Sequence, residues 1–164
     1  MNIIRKSLTL AIMALLCLQA SAQTEFLNKY AKNDKVKVLN FGKEMMALLG
    51  DDLPSVGDMD IDDMGSLMKK VDNVKLVNVT EPKTIAKVTK DVGKAVKKYK
   101  YTPVLTGRDD DIDIGIYFVQ KDSKSTLLLV GDEGRELNLI VLEGTFTLAD
   151  LNNLAQASSS GGKQ

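Results

Sequence analysis

Ser66-Leu67-Met68-Lys69 sets a hydroxyl and an amine one helical turn apart. In serine enzymes of the Ser-x-x-Lys type, a lysine at this spacing takes the serine proton and activates the oxygen for attack. The motifs that accompany that pair are missing. Lys83-Thr84 is followed by Ile85, not glycine, and no Ser-Asp-Asn occurs. The preferred reading makes Ser66 an exposed helix residue and Lys69 a cation at a helix C-terminus, where the dipole favours it. The chain has no histidine, and its one cysteine, Cys17, falls in a segment expected to be removed. Ser-His-Asp and cysteine-nucleophile chemistry are therefore excluded for the mature protein. A small hydrolase using Ser66 with Lys69, or a pair of carboxylates, stands as the catalytic alternative.

Two acidic runs have the first, third and fifth spacing of a calcium loop: Asp58, Asp60 and Asp62, then Asp109, Asp111 and Asp113. An EF-hand also needs glycine at its sixth position and glutamate at its twelfth. The first run offers Asp63 and Lys69 there, and the second Ile114 and Gln120. Solvated turns and helix N-terminal charge are the preferred reading, with no metal and no cofactor expected.

Lys83, Lys87, Lys90, Lys94 and Lys97 recur at steps of four and three, and Lys98 widens the stripe. At about 100° per residue they lie opposite the apolar positions Ile85, Val88 and Val92. Only Asp91 offsets them locally. An ordinary solvated helix face is the default. The alternative is a binding face for a polyanion or an envelope surface. The methionines of the mature chain all fall between Met45 and Met68. Met45, Met64 and Met68 fit buried helical stripes, whereas Met46 and Met59 leave room for a deformable docking surface.

Residues 1–22 read as an export signal. Arg5 and Lys6 precede an apolar stretch from Leu8 to Leu18 that is too short to span a bilayer, and Ala20-Ser21-Ala22 is a small-x-small cleavage site. Lipoprotein processing at Cys17 is disfavoured because Leu16, not a small residue, precedes it. The mature chain is then expected to start at Gln23, in a periplasmic or secreted product. Losing Arg5 and Lys6 takes the balance of basic against acidic residues from 22:22 to 20:22. That slight acidity points away from nucleic acid, and no mature segment is long and apolar enough to span a membrane. The remaining length suits one domain.

These groups need a scaffold. Phe26, Leu27, Tyr30 and Ala31 predict a short helix, and Val36, Val38 and Leu39 a brief strand. Asn40 is placed as cap of a second helix bearing Phe41, Met45, Leu48 and Leu49 on one side. Met64, Leu67, Met68 and Val71 repeat at helical spacing, with Asn73 closing that helix. Val74–Val79 reads as a strand. Thr80 is expected to cap the longest helix, Glu81–Lys98, with Pro82 in its first turn. Tyr101–Thr106 reads as a strand at an edge or bulge because of Pro103. Ile112–Glu143 alternates in three segments joined by Lys121-Asp122-Ser123-Lys124 and Gly131-Asp132-Glu133-Gly134, an antiparallel meander. Thr147 and Asp150 form a capping box before a last short helix. Residues 158–164 read as a disordered tail.

The whole is expected to be a single two-layer α+β domain over residues 23–157. Its sheet is mixed but mainly antiparallel, covered by one long amphipathic helix and shorter ones. Val74-Lys75-Leu76-Val77-Asn78-Val79 before the long helix, the meander, and Leu142-Glu143-Gly144-Thr145-Phe146-Thr147-Leu148-Ala149-Asp150-Leu151 at the end carry a resemblance. Together they resemble the exported Bacteroidetes proteins grouped as Domain of Unknown Function 4252. That resemblance implies a small exported α+β domain without an assigned activity and without catalytic residues to carry over. The preferred function is a non-catalytic binding or interaction module of the cell envelope, acting on an unidentified protein or envelope component.

Overall fold

The computed structural model describes residues 23–49 and 66–160. The first described element is a 3-10 turn, Glu25–Tyr30, which buries Leu27 and Tyr30. Strand β1 (Val36–Gly42) leads into a short helix α1 (Lys43–Leu49). Residues 66–68 are helical and feed β2 (Val71–Val79). Helix α2 (Pro82–Lys98) precedes β3 (Thr102–Asp109), β4 (Ile112–Lys121), β5 (Lys124–Asp132) and β6 (Leu137–Gly144), and α3 (Leu148–Ser160) follows.

The six strands form one sheet in the order β1-β2-β6-β5-β4-β3, and every neighbouring pair is antiparallel. The α+β class holds, and among the described residues every strand pair is antiparallel, so none makes the sheet mixed. Strands β2 and β3 do run in the same direction. The meander places β6, β5 and β4 between them, so they never meet. The chain must therefore cross the sheet between β2 and β3, and α2 makes the crossing. Four inter-strand spacings span about 19 Å. The 17 residues of α2 reach about 25 Å, enough to cross obliquely.

Strand alternation sorts side chains to two faces. On β6, Leu137, Leu139 and Val141 have no solvent exposure beneath α2. They pack with Val77, Val79, Leu128 and Tyr101, and with Ile85, Val88 and Val92 of the helix. Each such buried side chain contributes about 2 kcal/mol from the area removed from water. Among the described residues, a second buried cluster covers one end of the other face. There Val74, Phe118 and Leu127 lie under Leu67, Phe146 and Leu151. The Phe118 and Phe146 rings meet at 6.2 Å and 54°, a tilted geometry that aromatic quadrupoles favour. Next to that cover, Leu39, Leu76, Ile140, Leu129, Ile116 and Leu105 stand in register across all six strands. The ends of this apolar row are open, with Leu39 57% and Leu105 52% exposed.

Several boundaries differ from the expectations. Asn40 and Phe41 belong to β1, opposite Lys75 and Val74, so Asn40 caps nothing. Cross-strand packing of Phe41 over Val74 outweighs the capping preference of asparagine. Helix α1 starts later, and Met45 and Leu48 are exposed, not buried. Val71 and Asn73 lie in β2, paired with Gly144 and Glu143, so the helical spacing that began before Leu67 ends at Met68. Met59 and Met64 lie outside the described residues. Strand β3 runs on to Asp109, and only residues 110 and 111 turn. As Pro103 implied, β3 is an edge strand, with a register shift between Pro103 and Leu105. Helix α3 continues to Ser160, beyond the expected domain end at 157, and the rest of the tail lies outside the described residues.

The capping box forms. Thr147 N donates to Asp150 Oδ2 at 2.7 Å, and Asp150 N donates to Thr147 Oγ1 at 3.3 Å. Lys70, whose backbone carbonyl accepts from Thr145 N, donates from its Nζ to Asp150 Oδ1 at 2.7 Å. Thr147→Ala should cost about 1 kcal/mol, seen as a lower urea midpoint with an unchanged slope.

Candidate functional site

Helix α2 presents a continuous charged face. Pro82 opens it, where a missing N–H costs little. The cap is Glu81, not the expected Thr80. The Glu81 carboxylate accepts from Thr84 N at 2.7 Å and from the Thr84 hydroxyl. The Thr84 hydroxyl, then the Thr84 backbone, hold this carboxyl below its ordinary range. A carboxylate also suits the positive end of the helix dipole better than a threonine hydroxyl.

Ile85, Val88, Val92 and Ala95 point into the core. Lys83, Lys87, Lys90, Lys94, Lys97 and Lys98 are all exposed on the other side. Between Lys83 and Lys98 the face runs for about 22 Å along the axis. Among the described residues, none of these six ammonium groups has a carboxylate within ion-pair distance. Glu81 and Asp91 feel the fields of Lys83 and Lys94 without contacting them.

The acid expected to offset the stripe is turned away from it. Asp91 accepts from Lys29 Nζ at 2.5 Å and from the Tyr30 hydroxyl, both on the N-terminal 3-10 turn. Burial pushes the Asp91 carboxyl up, but the bonds from Lys29 and Tyr30 outweigh it and the net shift is downward. Burial and the same carboxylate raise the Tyr30 phenol. A carboxyl with a lowered folded pKa stabilises the fold above its unfolded pKa of about 3.9, and that contribution fades as pH falls through the folded value. Asp91→Asn should therefore lower stability at pH 7 by about 1 kcal/mol and flatten the acid limb of stability against pH. Urea midpoints between pH 3 and 7 read both effects.

At its C-terminus α2 ends in a Schellman turn. Tyr101 N donates to Val96 O at 3.0 Å and Lys100 N to Lys97 O at 3.4 Å. Lys100 sits at φ 55°, a left-handed position that ordinarily takes glycine. Lys100→Gly should raise stability by up to about 1 kcal/mol, read as a higher melting temperature. Here the lysine face meets a shallow, open cleft of about 370 Å³. Gln23, Lys98, Tyr99, Lys100, Gln120 and Lys121 line it, and no acid does. Lys121 is the last residue of β4, so the fold adds two cations, Lys100 and Lys121, to the stripe. Sequence reasoning missed both. Lys100 left one signal, a lysine directly after a helix end, whereas Lys121 is brought in only by the packing of the meander under α2.

The other candidate groups do not converge. Ser66 and Lys69 are both exposed, the helical turn stops at Met68 between them, and neither lines the cleft. Asp109 ends β3, Asp111 lies in the turn, and Asp113 on β4 is bound by Arg108 at 2.8 and 3.1 Å. Asp58, Asp60 and Asp62 lie outside the described residues. Among the described residues, no group of three or more acids is placed to hold a metal ion, and no helix is long and apolar enough to cross a membrane.

Comparison with known proteins found no match among curated proteins or solved structures. A family model does match, over residues 30–154. That span runs from the 3-10 turn through the whole sheet and α2 into α3, most of the chain, and the protein therefore belongs to the family described as Domain of unknown function (DUF4252).

Proposed function

We propose that this is a non-catalytic exported binding module of the cell envelope, and that the lysine face of α2 is where it binds. The ligand class is an anionic envelope component presenting phosphate or carboxylate groups in a row or on a surface. The observation that carries the reading is the unmatched charge: six exposed lysines on one helix face, with the only acid in the helix spent on Lys29 and Tyr30.

Like charges three and four residues apart cost a helix a few tenths of a kcal/mol per pair. A structural role alone would be served as well by alternating charges on this face. An anionic surface turns that cost into attraction of about 1 kcal/mol per lysine near it. Export favours lipid and glycan anions over nucleic acid as the occupants. Ser66 and Lys69 are exposed and neither lines the cleft at the end of α2, so they lend the hydrolase alternative no support.

Co-sedimentation with vesicles tests the reading. The mature protein should pellet with vesicles rich in anionic lipid and stay in solution with zwitterionic ones. A soluble sulfated or uronic polysaccharide that competes would assign the glycan as the preferred source of charge. Equal behaviour toward both vesicle types and no retention on an immobilised polyanion would refute the proposal.

A further inference from the structure

The sheet face turned away from α2 carries an apolar row that folding leaves partly in water. It runs in register from Leu39 on β1 to Leu105 on β3. Ile140, near its middle, is still 38% exposed. The neighbouring row on this face is Lys37, Asn78, Asn138, Gly131, Ile114 and Gly107. Lys37 is the one charge in it. It stands on the edge strand β1, where a long stem lets the ammonium reach water. Asn78 Nδ2 donates to Asn138 Oδ1 at 2.8 Å and to Glu136 Oε1 at 2.5 Å, so these polar groups are turned on one another.

Charge and area together select the occupant. A strongly acidic or basic partner finds no counter-charge along the apolar row. A second copy of the chain offers the same uncharged row and brings no like charges together along it. Six strands are about 29 Å wide, and the eight residues of β6 are about 27 Å long. A cover one helix thick takes about 10 Å of that length, leaving an open strip of about 29 by 17 Å. Two copies packed strip to strip bury about 1,000 Å² between them, the least that a specific interface needs. Facing sheets stand about 10 Å apart, the thickness of the cover. The two covers must therefore lie at opposite ends, each beyond the open end of the other sheet. A two-fold axis running across the strands places them so.

We propose that this chain forms a weak dimer through the apolar row, sheet face against sheet face. In that dimer both α2 helices lie outside, because each covers the face of its sheet turned away from the partner. The two lysine faces point apart, and the dimer tethers one anionic surface to another. Tethering rests on the binding function proposed above; the dimer does not.

Sedimentation equilibrium of the mature protein tests the dimer. Its mass should rise from one chain toward two across the micromolar range, as suits an interface of this size. Leu39→Gln/Leu105→Gln should weaken the dimer at least about tenfold. Both leucines are more than half exposed, so the melting temperature of the dilute protein should hold. A monomer at every concentration would overturn the proposal, as would a dimer that the two changes leave untouched. Retention of that monomer on zwitterionic vesicles would assign the row to lipid instead. With anionic vesicles, the wild type should cluster them and raise turbidity, whereas the double variant should bind them without clustering. Vesicles that bind a dimeric wild type yet stay dispersed would overturn the outward placement of the lysine faces. A dimer that binds no anionic vesicle would overturn the binding function and leave the dimer standing.

Discussion

Gly144→Ala should remove a large part of this protein's folding stability. Gly144 ends β6 opposite Val71, where the chain leaving the helical turn at 66–68 crosses close to the sheet. Lys70 O accepts from Thr145 N there at 2.8 Å. A Cβ on Gly144 would stand 2.0 Å from Lys70 O and 2.9 Å from the Lys70 carbonyl carbon and Val71 Cα. These are backbone atoms, with no rotamer to move aside. Relief requires the β2–β6 register to open or residues 70 and 71 to shift. Either change loosens Leu67, Val71 and Phe146, the buried cover of the second sheet face. Overpacking and lost burial together should cost at least about 3 kcal/mol, a large part of the 5–15 kcal/mol that holds a typical domain. Circular dichroism and urea unfolding would show it. A variant with wild-type midpoint would mean that the close approach at Lys70 is wrong.

Lys87→Glu/Lys94→Glu should separate binding from folding. The two changes remove two positive charges and add two negative ones, a swing of four at the centre of the face. At about 1 kcal/mol per charge near an anionic surface, the loss is about 4 kcal/mol, roughly a thousandfold in affinity. The fold should not suffer. Both side chains are exposed, and each new glutamate gains lysine neighbours three or four residues away: Lys83 and Lys90 for position 87, Lys90, Lys97 and Lys98 for position 94. Such pairs help a helix by a few tenths of a kcal/mol. Reduced affinity with an equal or higher melting temperature is the expected pair of results. A fall in both would mean that the stripe serves the fold rather than a ligand.

The sequence revealed most where one residue type repeated at a period set by backbone geometry. The α2 stripe was legible because Ile85, Val88 and Val92 can share a face only in a helix. The meander was legible because Ile112, Ile114 and Ile116 alternate with Asp113 and Gly115 between turn residues. The end of β1 was not, because Asn40 and Phe41 obey pairing with Lys75 and Val74, far along the chain, a contact that no local window contains. The apolar row from Leu39 to Leu105 depends on the register of five strand pairs, and its members lie far apart in sequence. The lysine stripe itself could be read from spacing. Its freedom from counter-charge could not, because the partner of Asp91 sits on the N-terminal turn, 62 positions back at Lys29. The same holds for Lys121, which joins the stripe only when β4 folds beneath the end of α2.

The most direct test of the binding account is the salt dependence of association with anionic vesicles, measured for the wild-type protein from about 50 to 500 mM salt. Screening shortens from about 14 Å to 4 Å over that range, and exposed lysines binding by charge alone lose their hold with it. The account predicts association at the low end that falls steeply and vanishes at the high end. No association even at the lowest salt, or association that salt leaves unchanged, would contradict it.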